Sequence, residues 1–220
     1  MRPYVPLRAC IVVAAGISLM LFVWGIIRYP TVIASSGAPL LVSLFVAGIA
    51  GYVYAALRCS RIDSSEDALV LSSGLKWGVA IGLAWAIEVA GGNVIVPHRL
   101  GATIGIFSAF AAAMLPFLAG AMGASVTGRA RTGAVIGLWS GVVSGSIAFI
   151  ALACAGLLIA HFPGLPGVET PHNSSKVLTA EELAAFNLED YLAGGISHLL
   201  LIGAPYCGAL GAIGGMLARR

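Results

Sequence analysis

The chain has 220 residues, of which 59% are hydrophobic and only 10% are charged. Soluble domains carry about 25% charged residues, so this composition excludes an ordinary soluble protein and indicates a polytopic membrane protein. The net charge of +3 comes without a basic cluster, which argues against a nucleic-acid partner. The four cysteines form no Cys-x-x-Cys or Cys/His pattern, so neither a disulfide nor a metal site is predicted.

Apolar runs long enough to cross a bilayer recur along the chain. We predict an all-α bundle of six transmembrane helices that forms one domain over residues 1–220. The predicted helices are 9–27, 32–57, 74–94, 100–125, 133–160 and 191–218. The loop 161–190 is expected to be extracytoplasmic. The first apolar run is long for a signal-peptide core, although small residues near Ala34 and Ser35 leave cleavage open.

The basic residues are distributed unevenly between the two sides of the predicted bundle. Nine lie in segments that share a side with the termini, and three (Arg28, Arg99 and Lys176) lie on the other side. Positively charged loops stay in the cytoplasm, so we predict that both termini are cytoplasmic. The short loops are typical of a prokaryotic protein, which predicts the cytoplasmic membrane of a bacterium.

Glycines recur every four residues in two of the predicted helices. Glycine at this spacing lets a neighbouring helix approach closely in lipid. The positions predicted to pack in this way are Gly74, Gly78, Gly82, Gly133, Gly137, Gly141 and Gly145. The neighbour could belong to this chain, to a second copy or to another membrane subunit. Paired glycines also precede a basic residue in helices two, four and six, which indicates either three related hairpins or a chance similarity.

Glu88 is the acidic residue that falls inside a predicted span. A carboxylate in hydrocarbon costs roughly 2.5–3.5 kcal/mol and is a functional hypothesis by default. Helix rise places Glu88 in the outer half of the bilayer, level with His198, which is its first candidate partner, with His98 and Arg99 as others. These groups could bind a cation, relay a proton or hold a polar ligand. Alternatively, a protonated Glu88 only orders the bundle and His198 is an interhelical hydrogen-bonding group.

The long loop before the last helix is acidic and contains a helix capping box at Thr179–Glu182. Asn187 is expected to start another turn that leads into the last helix. The loop could cover an outward-facing site, recruit cations or simply connect two helices.

No catalytic site and no cofactor are predicted. Ser144, between Gly141 and Gly145, invites comparison with intramembrane serine proteases when it is considered with His198, but the expected Gly-x-Ser spacing is absent. Phosphate loops, metalloprotease helices and dinucleotide fingerprints are absent as well. Two classes remain. One is a small transporter or the membrane subunit of a transport system, whose size and topology also suit the substrate-binding subunits of vitamin importers. The other is a non-catalytic scaffold that assembles through its glycine faces.

Overall fold

The computed structural model describes residues 2–35, 37–95, 98–170 and 178–218, without the side chains of His98 and Arg99. The protein is 88% helical, and its described residues contain six helices long and apolar enough to span a membrane. The predicted all-α six-helix bundle is therefore confirmed, and the chain is a multi-pass membrane protein. The side of the membrane that the termini face stays a prediction.

Within the described residues, the spans are built from seven α-helices. They are α1 (Val5–Arg28), α2 (Ala38–Cys59), α3 (Ser65–Val89), α4 (His98–Thr127), α5 (Ala130–His161), α6 (Ala180–Ser197) and α7 (Cys207–Leu217). A 3₁₀ turn (Pro30–Ala34) precedes α2, and a π-helical segment (Ala90–Ile95) extends α3. A second π-helical segment (His198–Tyr206) joins α6 to α7, so the last span runs from Ala180 to Leu217.

The N-terminus is attached to the connection between α2 and α3. Two short strands, β1 (Arg2–Pro3) and β2 (Arg61–Ile62), pair in antiparallel fashion. The guanidinium of Arg8 donates to the hydroxyl of Ser60 at 2.9 Å and to the carbonyl of Leu57 at 2.8 Å. We call this end of the bundle, which also carries the α4–α5 turn and the end of α7, the basic end. The opposite end, with the described residues 29–35, 162–170 and 178–179, is the loop end.

Helix α3 begins at Ser65, earlier than the predicted start at residue 74. The reason is a reciprocal capping box. The Ser64 hydroxyl accepts from the backbone N–H of Asp67 at 3.1 Å, and the Asp67 carboxylate accepts from the backbone N–H of Ser64 at 2.9 Å. The polar residues expected in a loop therefore form the first turns of the helix.

Helix α6 begins at Ala180, where the predicted capping box is confirmed. The backbone N–H of Thr179 donates to the Glu182 carboxylate at 2.8 Å, and the N–H of Glu182 donates to the Thr179 hydroxyl at 3.2 Å. The expectation that Asn187 starts a turn is wrong, because α6 continues through it to Ser197. The connecting segment is therefore 162–179 instead of 161–190.

Helix α5 lies at the centre of the bundle. In its most apolar window 67% of the residues are buried, against 22–39% in the other five described spans. Phe149 of α5 stacks on Phe45 of α2, which in turn stacks on Phe22 of α1, with ring centroids 4.9 and 4.1 Å apart. Helix α5 is therefore in contact with both α3 and the last span.

Candidate functional site

The glycines of α3 face α5. A Cβ atom placed at Gly78 would lie 2.6 Å from the Cβ of Val143, and Cβ atoms at Gly74 and Gly82 would meet α5 side chains just as closely. Real Cβ atoms do not approach one another to this distance. Glycine at these three positions therefore allows the close packing of α3 on α5.

The glycines of α5 face the last span. A Cβ at Gly137 would collide with the carbonyl oxygen of Cys207, and a Cβ at Gly145 would lie 2.9 Å from the carbonyl oxygen of His198. Gly133 and Gly141 meet backbone atoms of the same span. All seven predicted packing glycines thus contact other helices of the same chain. Whether they also serve assembly with a partner stays a prediction.

The last span is interrupted near its middle, inside the bundle. Gly203 has a non-helical conformation (φ −62°, ψ −106°), and Pro205 two residues later has no backbone N–H to donate. The buried hydroxyl of Tyr52, from α2, donates to the carbonyl of Leu199. A Cβ at Gly203 would lie 2.6 Å from this hydroxyl. Irregular backbone at membrane depth is tolerated where it is buried in protein, as it is at Leu199 and Gly203.

His198 is the first residue of this interruption. Its Nδ1 lies 2.9 Å from the carbonyl oxygen of Gly194. A carbonyl can only accept, so Nδ1 carries the hydrogen, and in the neutral ring Nε2 is an acceptor. Nε2 is buried and has no hydrogen-bond partner among the described atoms. The ring lies edge-on to Trp85 of α3, with centroids 4.6 Å apart. His198 therefore offers an unused acceptor inside the bundle.

Glu88 lies one turn beyond Trp85 on α3, two residues before the first π-helical segment. The carboxylate is partly buried, and its Oε1 lies 3.8 Å from the positions that Cβ atoms would take at Gly92 and Gly105. Among the described side chains, no hydrogen bond or ion pair reaches it. The absence of side chains at Gly92 and Gly105 leaves room beside the carboxylate.

Three partners for Glu88 are predicted from the sequence: His198, His98 and Arg99. Within the described residues there is no hydrogen bond between Glu88 and His198, and α3 meets His198 through Trp85 instead. His98 and Arg99 form the start of α4, but their side chains lie outside the described part of the chain. Their role stays a prediction.

Residues 167–169, which follow α5, are held against α6 and α3 near these groups. The side chain of Asn187 accepts from the backbone N–H of Glu169 at 2.8 Å and donates to the Glu169 carbonyl at 3.0 Å and the Leu183 carbonyl at 2.9 Å. A Cβ at Gly167 would collide with the carbonyl oxygen of Asn93 in the π-helical end of α3. The part of the connecting segment around Gly167 is thus packed on the outer end of α3.

Tyr52, Trp85 and Asn187 were not singled out as site residues from the sequence. Each is a polar or amphipathic side chain in an apolar span, which is the available signal, but composition does not distinguish them from interfacial aromatic residues or turn formers. Among the described residues, no group of three or more His, Cys, Asp or Glu side chains could hold a metal ion. Ser144 is buried and donates to the Gly141 carbonyl of its own helix at 3.3 Å.

Comparisons of the chain with known protein families, with curated proteins and with solved structures find no match. The class of protein is the one that the fold defines, a multi-pass membrane protein.

Proposed function

We propose that the protein is a small transporter, or the membrane subunit of a transport system, with a polar site in the half of the bilayer next to the loop end. The observation that carries this proposal is the interruption of the last span at His198–Tyr206. Broken helices inside a bundle are a recurrent framework of substrate and ion sites in transporters, because the unwound backbone offers polar groups at membrane depth.

The positions of Glu88 and His198 add support. His198 begins one π-helical segment and Glu88 lies two residues before the other, and π-helical turns are frequent at functional sites. The unused Nε2 of His198 accepts a hydrogen bond, and the carboxylate of Glu88 accepts hydrogen bonds and attracts positive charge. A ligand that fits these groups is a proton, a cation or a polar molecule rich in hydrogen-bond donors.

The proposed location is the cytoplasmic membrane of a bacterium, with both termini in the cytoplasm. Support comes from the concentration of arginines at the basic end, where Arg8, Arg58, Arg61, Arg129 and Arg131 lie. Positively charged segments are retained in the cytoplasm during insertion.

The role we propose is not enzymatic, and the alternative to transport is a non-catalytic scaffold that assembles through glycine faces. The scaffold draws less support, because the seven glycines of these faces contact helices of the same chain. A partner helix would have to use other lipid-facing side chains.

Native mass spectrometry of the purified protein in lipid nanodiscs tests the transport proposal. We expect the wild-type protein to retain a small molecule that the Glu88→Gln variant loses. Glu181→Gln, which alters an exposed carboxylate in the first turn of α6, is the matched control and should retain it. Proteoliposomes with the wild type or Glu181→Gln should take up the identified molecule, and those with Glu88→Gln should not. Equal retention and equal uptake by Glu88→Gln and wild type would contradict the proposed site.

A further inference from the structure

A separate polar cleft of about 550 Å³ opens at the basic end, between the first turns of α3 and α5. Its charged lining consists of two acids, Glu66 and Asp67, and two arginines, Arg129 and Arg131. Its apolar lining consists of Val70 and Val135, each about one turn further along its helix. The polar residues therefore lie at the membrane surface, and the valines lie towards the hydrocarbon.

Two of these four charged side chains, Glu66 and Arg129, already form an ion pair with each other. The carboxylate of Glu66 accepts from the guanidinium of Arg129 at 2.8 Å and from the hydroxyl of Thr132 at 2.8 Å. These contacts connect the start of α3 to the α4–α5 turn and fix the walls of the cleft.

The remaining charges are Asp67 and Arg131. In the described residues, Asp67 accepts hydrogen bonds only through Oδ2, from the backbone N–H of Asp63 and from the N–H and hydroxyl of Ser64. Its Oδ1 is unused. Arg131 makes no hydrogen bond or ion pair with the described residues and is exposed. One negative and one positive group thus remain for a ligand.

The N-termini of α3 and α5, which form the two walls of the cleft, also favour ligands of opposite charge. Helix α5 begins without a side-chain cap and without an acidic residue in its first turn. The positive end of its dipole favours an anion. Helix α3 begins with Glu66 and Asp67, which favour a cation. The cleft is therefore dipolar, anion-binding on the α5 side and cation-binding on the α3 side.

We propose that this cleft binds a phosphoethanolamine group as the headgroup of a zwitterionic phospholipid. The phosphate lies beside Arg131 and the first turn of α5, the ammonium donates to Oδ1 of Asp67, and the acyl chains follow Val70 and Val135. Arginine pockets between helices at a membrane surface are suited to lipid phosphates. A choline headgroup has no N–H to donate to Asp67, and a glycerol headgroup carries no positive charge. The proposal is independent of transport at Glu88.

The test uses delipidated protein in detergent and native mass spectrometry. Phosphatidylethanolamine, phosphatidylcholine and phosphatidylglycerol with the same acyl chains are titrated separately. The wild type should bind phosphatidylethanolamine at least about tenfold more tightly than the other two, as loss of one hydrogen bond to a charged group implies. Arg131→Gln should weaken phosphatidylethanolamine binding about tenfold. Asp67→Asn should reduce the preference over phosphatidylcholine.

Arg58→Gln is the matched control, because Arg58 is exposed at the same end but does not line the cleft. It should bind like the wild type. Equal binding of the three lipids, or unchanged binding in both Arg131→Gln and Asp67→Asn, would overturn the proposal. Free phosphoethanolamine, which has no acyl chains, is the probe that distinguishes a soluble ligand from a lipid. If it raises the melting temperature of the wild type but not of Arg131→Gln, the ligand is soluble and the lipid assignment is overturned. If it has no effect while phosphatidylethanolamine binds selectively, the lipid assignment is supported.

Discussion

The imidazole of His198 lies edge-on to the indole of Trp85, with ring centroids 4.6 Å apart and planes at 83°. Trp85 and Glu88 are three residues apart on α3 and therefore neighbours on its surface. In the described residues, the contact between α3 and His198 is thus an aromatic pair and not a carboxylate–imidazole hydrogen bond. Glu88 and His198 are consequently free to act separately on a ligand.

The first prediction concerns this independence. The effects of Glu88→Gln and His198→Gln on the free energy of unfolding should add to within about 0.5 kcal/mol, because residues without a direct contact rarely couple more strongly. Denaturation of the single and double variants in detergent measures the coupling. The pair Glu66→Gln and Thr132→Val, whose side chains are hydrogen-bonded at 2.8 Å, is the positive control and should couple more strongly. Equal coupling in both cycles would show that Glu88 and His198 interact directly.

The second prediction concerns the interrupted span. Tyr52→Phe should lower the free energy of unfolding by about 1–3 kcal/mol, because it leaves the buried Leu199 carbonyl without its hydrogen-bond donor. Tyr54→Phe is the control on the same helix, since Tyr54 is 63% exposed. Thermal unfolding followed by circular dichroism makes the comparison. If Tyr52→Phe and Tyr54→Phe have the same melting temperature, the Tyr52 hydroxyl does not stabilise the interrupted span.

The third prediction concerns the glycine face of α5. Gly137→Ala should destabilise the protein by about 1–3 kcal/mol, because the new methyl group would collide with the rigid backbone at Cys207. Gly16→Ala in α1 should be neutral or slightly stabilising, since no atom lies within 4 Å of its Cβ position and alanine favours helix. The yield of monodisperse protein after heating is the measurement. Equal tolerance of the two alanines would contradict the close approach of α5 and the last span.

The fourth prediction concerns residues 167–169, which follow α5. Asn187→Ala removes all three hydrogen bonds of a buried amide and should accelerate hydrogen exchange at the backbone N–H of Glu169. Asn187→Asp keeps the acceptor oxygen for that N–H, so its effect on exchange there should be smaller. Mass spectrometry of peptides covering residues 165–170 reports the exchange. Unchanged exchange in Asn187→Ala would mean that other contacts hold the segment.

The fifth prediction concerns orientation. Cys59 is exposed at the basic end, so in a variant without the other three cysteines a membrane-impermeant maleimide should label it only from the cytoplasmic side. Introducing Gly164→Cys into a protein without native cysteines gives the mirror-image control, because residue 164 is exposed at the loop end. Labelling of Cys59 from outside intact cells would reverse the predicted topology.

Much of the fold could be predicted from composition. Apolar runs of sufficient length specify spanning helices, and the Thr179–Glu182 pattern correctly predicted where α6 begins. The interruption at His198–Tyr206 could not be predicted, because its residues are as apolar as those of a regular helix. Proline is not a sufficient signal, since α4 runs through Pro116 as one helix. The difference lies in tertiary contacts such as that of Tyr52, which is 147 positions before Leu199.

The candidate site could be predicted only in part. A charge inside an apolar run identified Glu88, and helix rise gave its approximate depth. Depth does not specify which direction a side chain faces, because each residue turns the helix by about 100°. The contact of His198 with Trp85 instead of Glu88 depends on that rotation, which in turn follows from how closely the glycines of α3 approach α5.

The central position of α5 also has a consequence for the order in which the protein is made. The segment that covers its glycine face, Ala180–Leu217, is synthesised after α5 has emerged. Until then, Gly137 and Gly141 present bare backbone to lipid or to any neighbouring helix. Chains fold from the N-terminus during synthesis, and surfaces left open in intermediates are prone to wrong associations. The nascent protein is therefore most vulnerable to mispairing just before its last span enters the membrane.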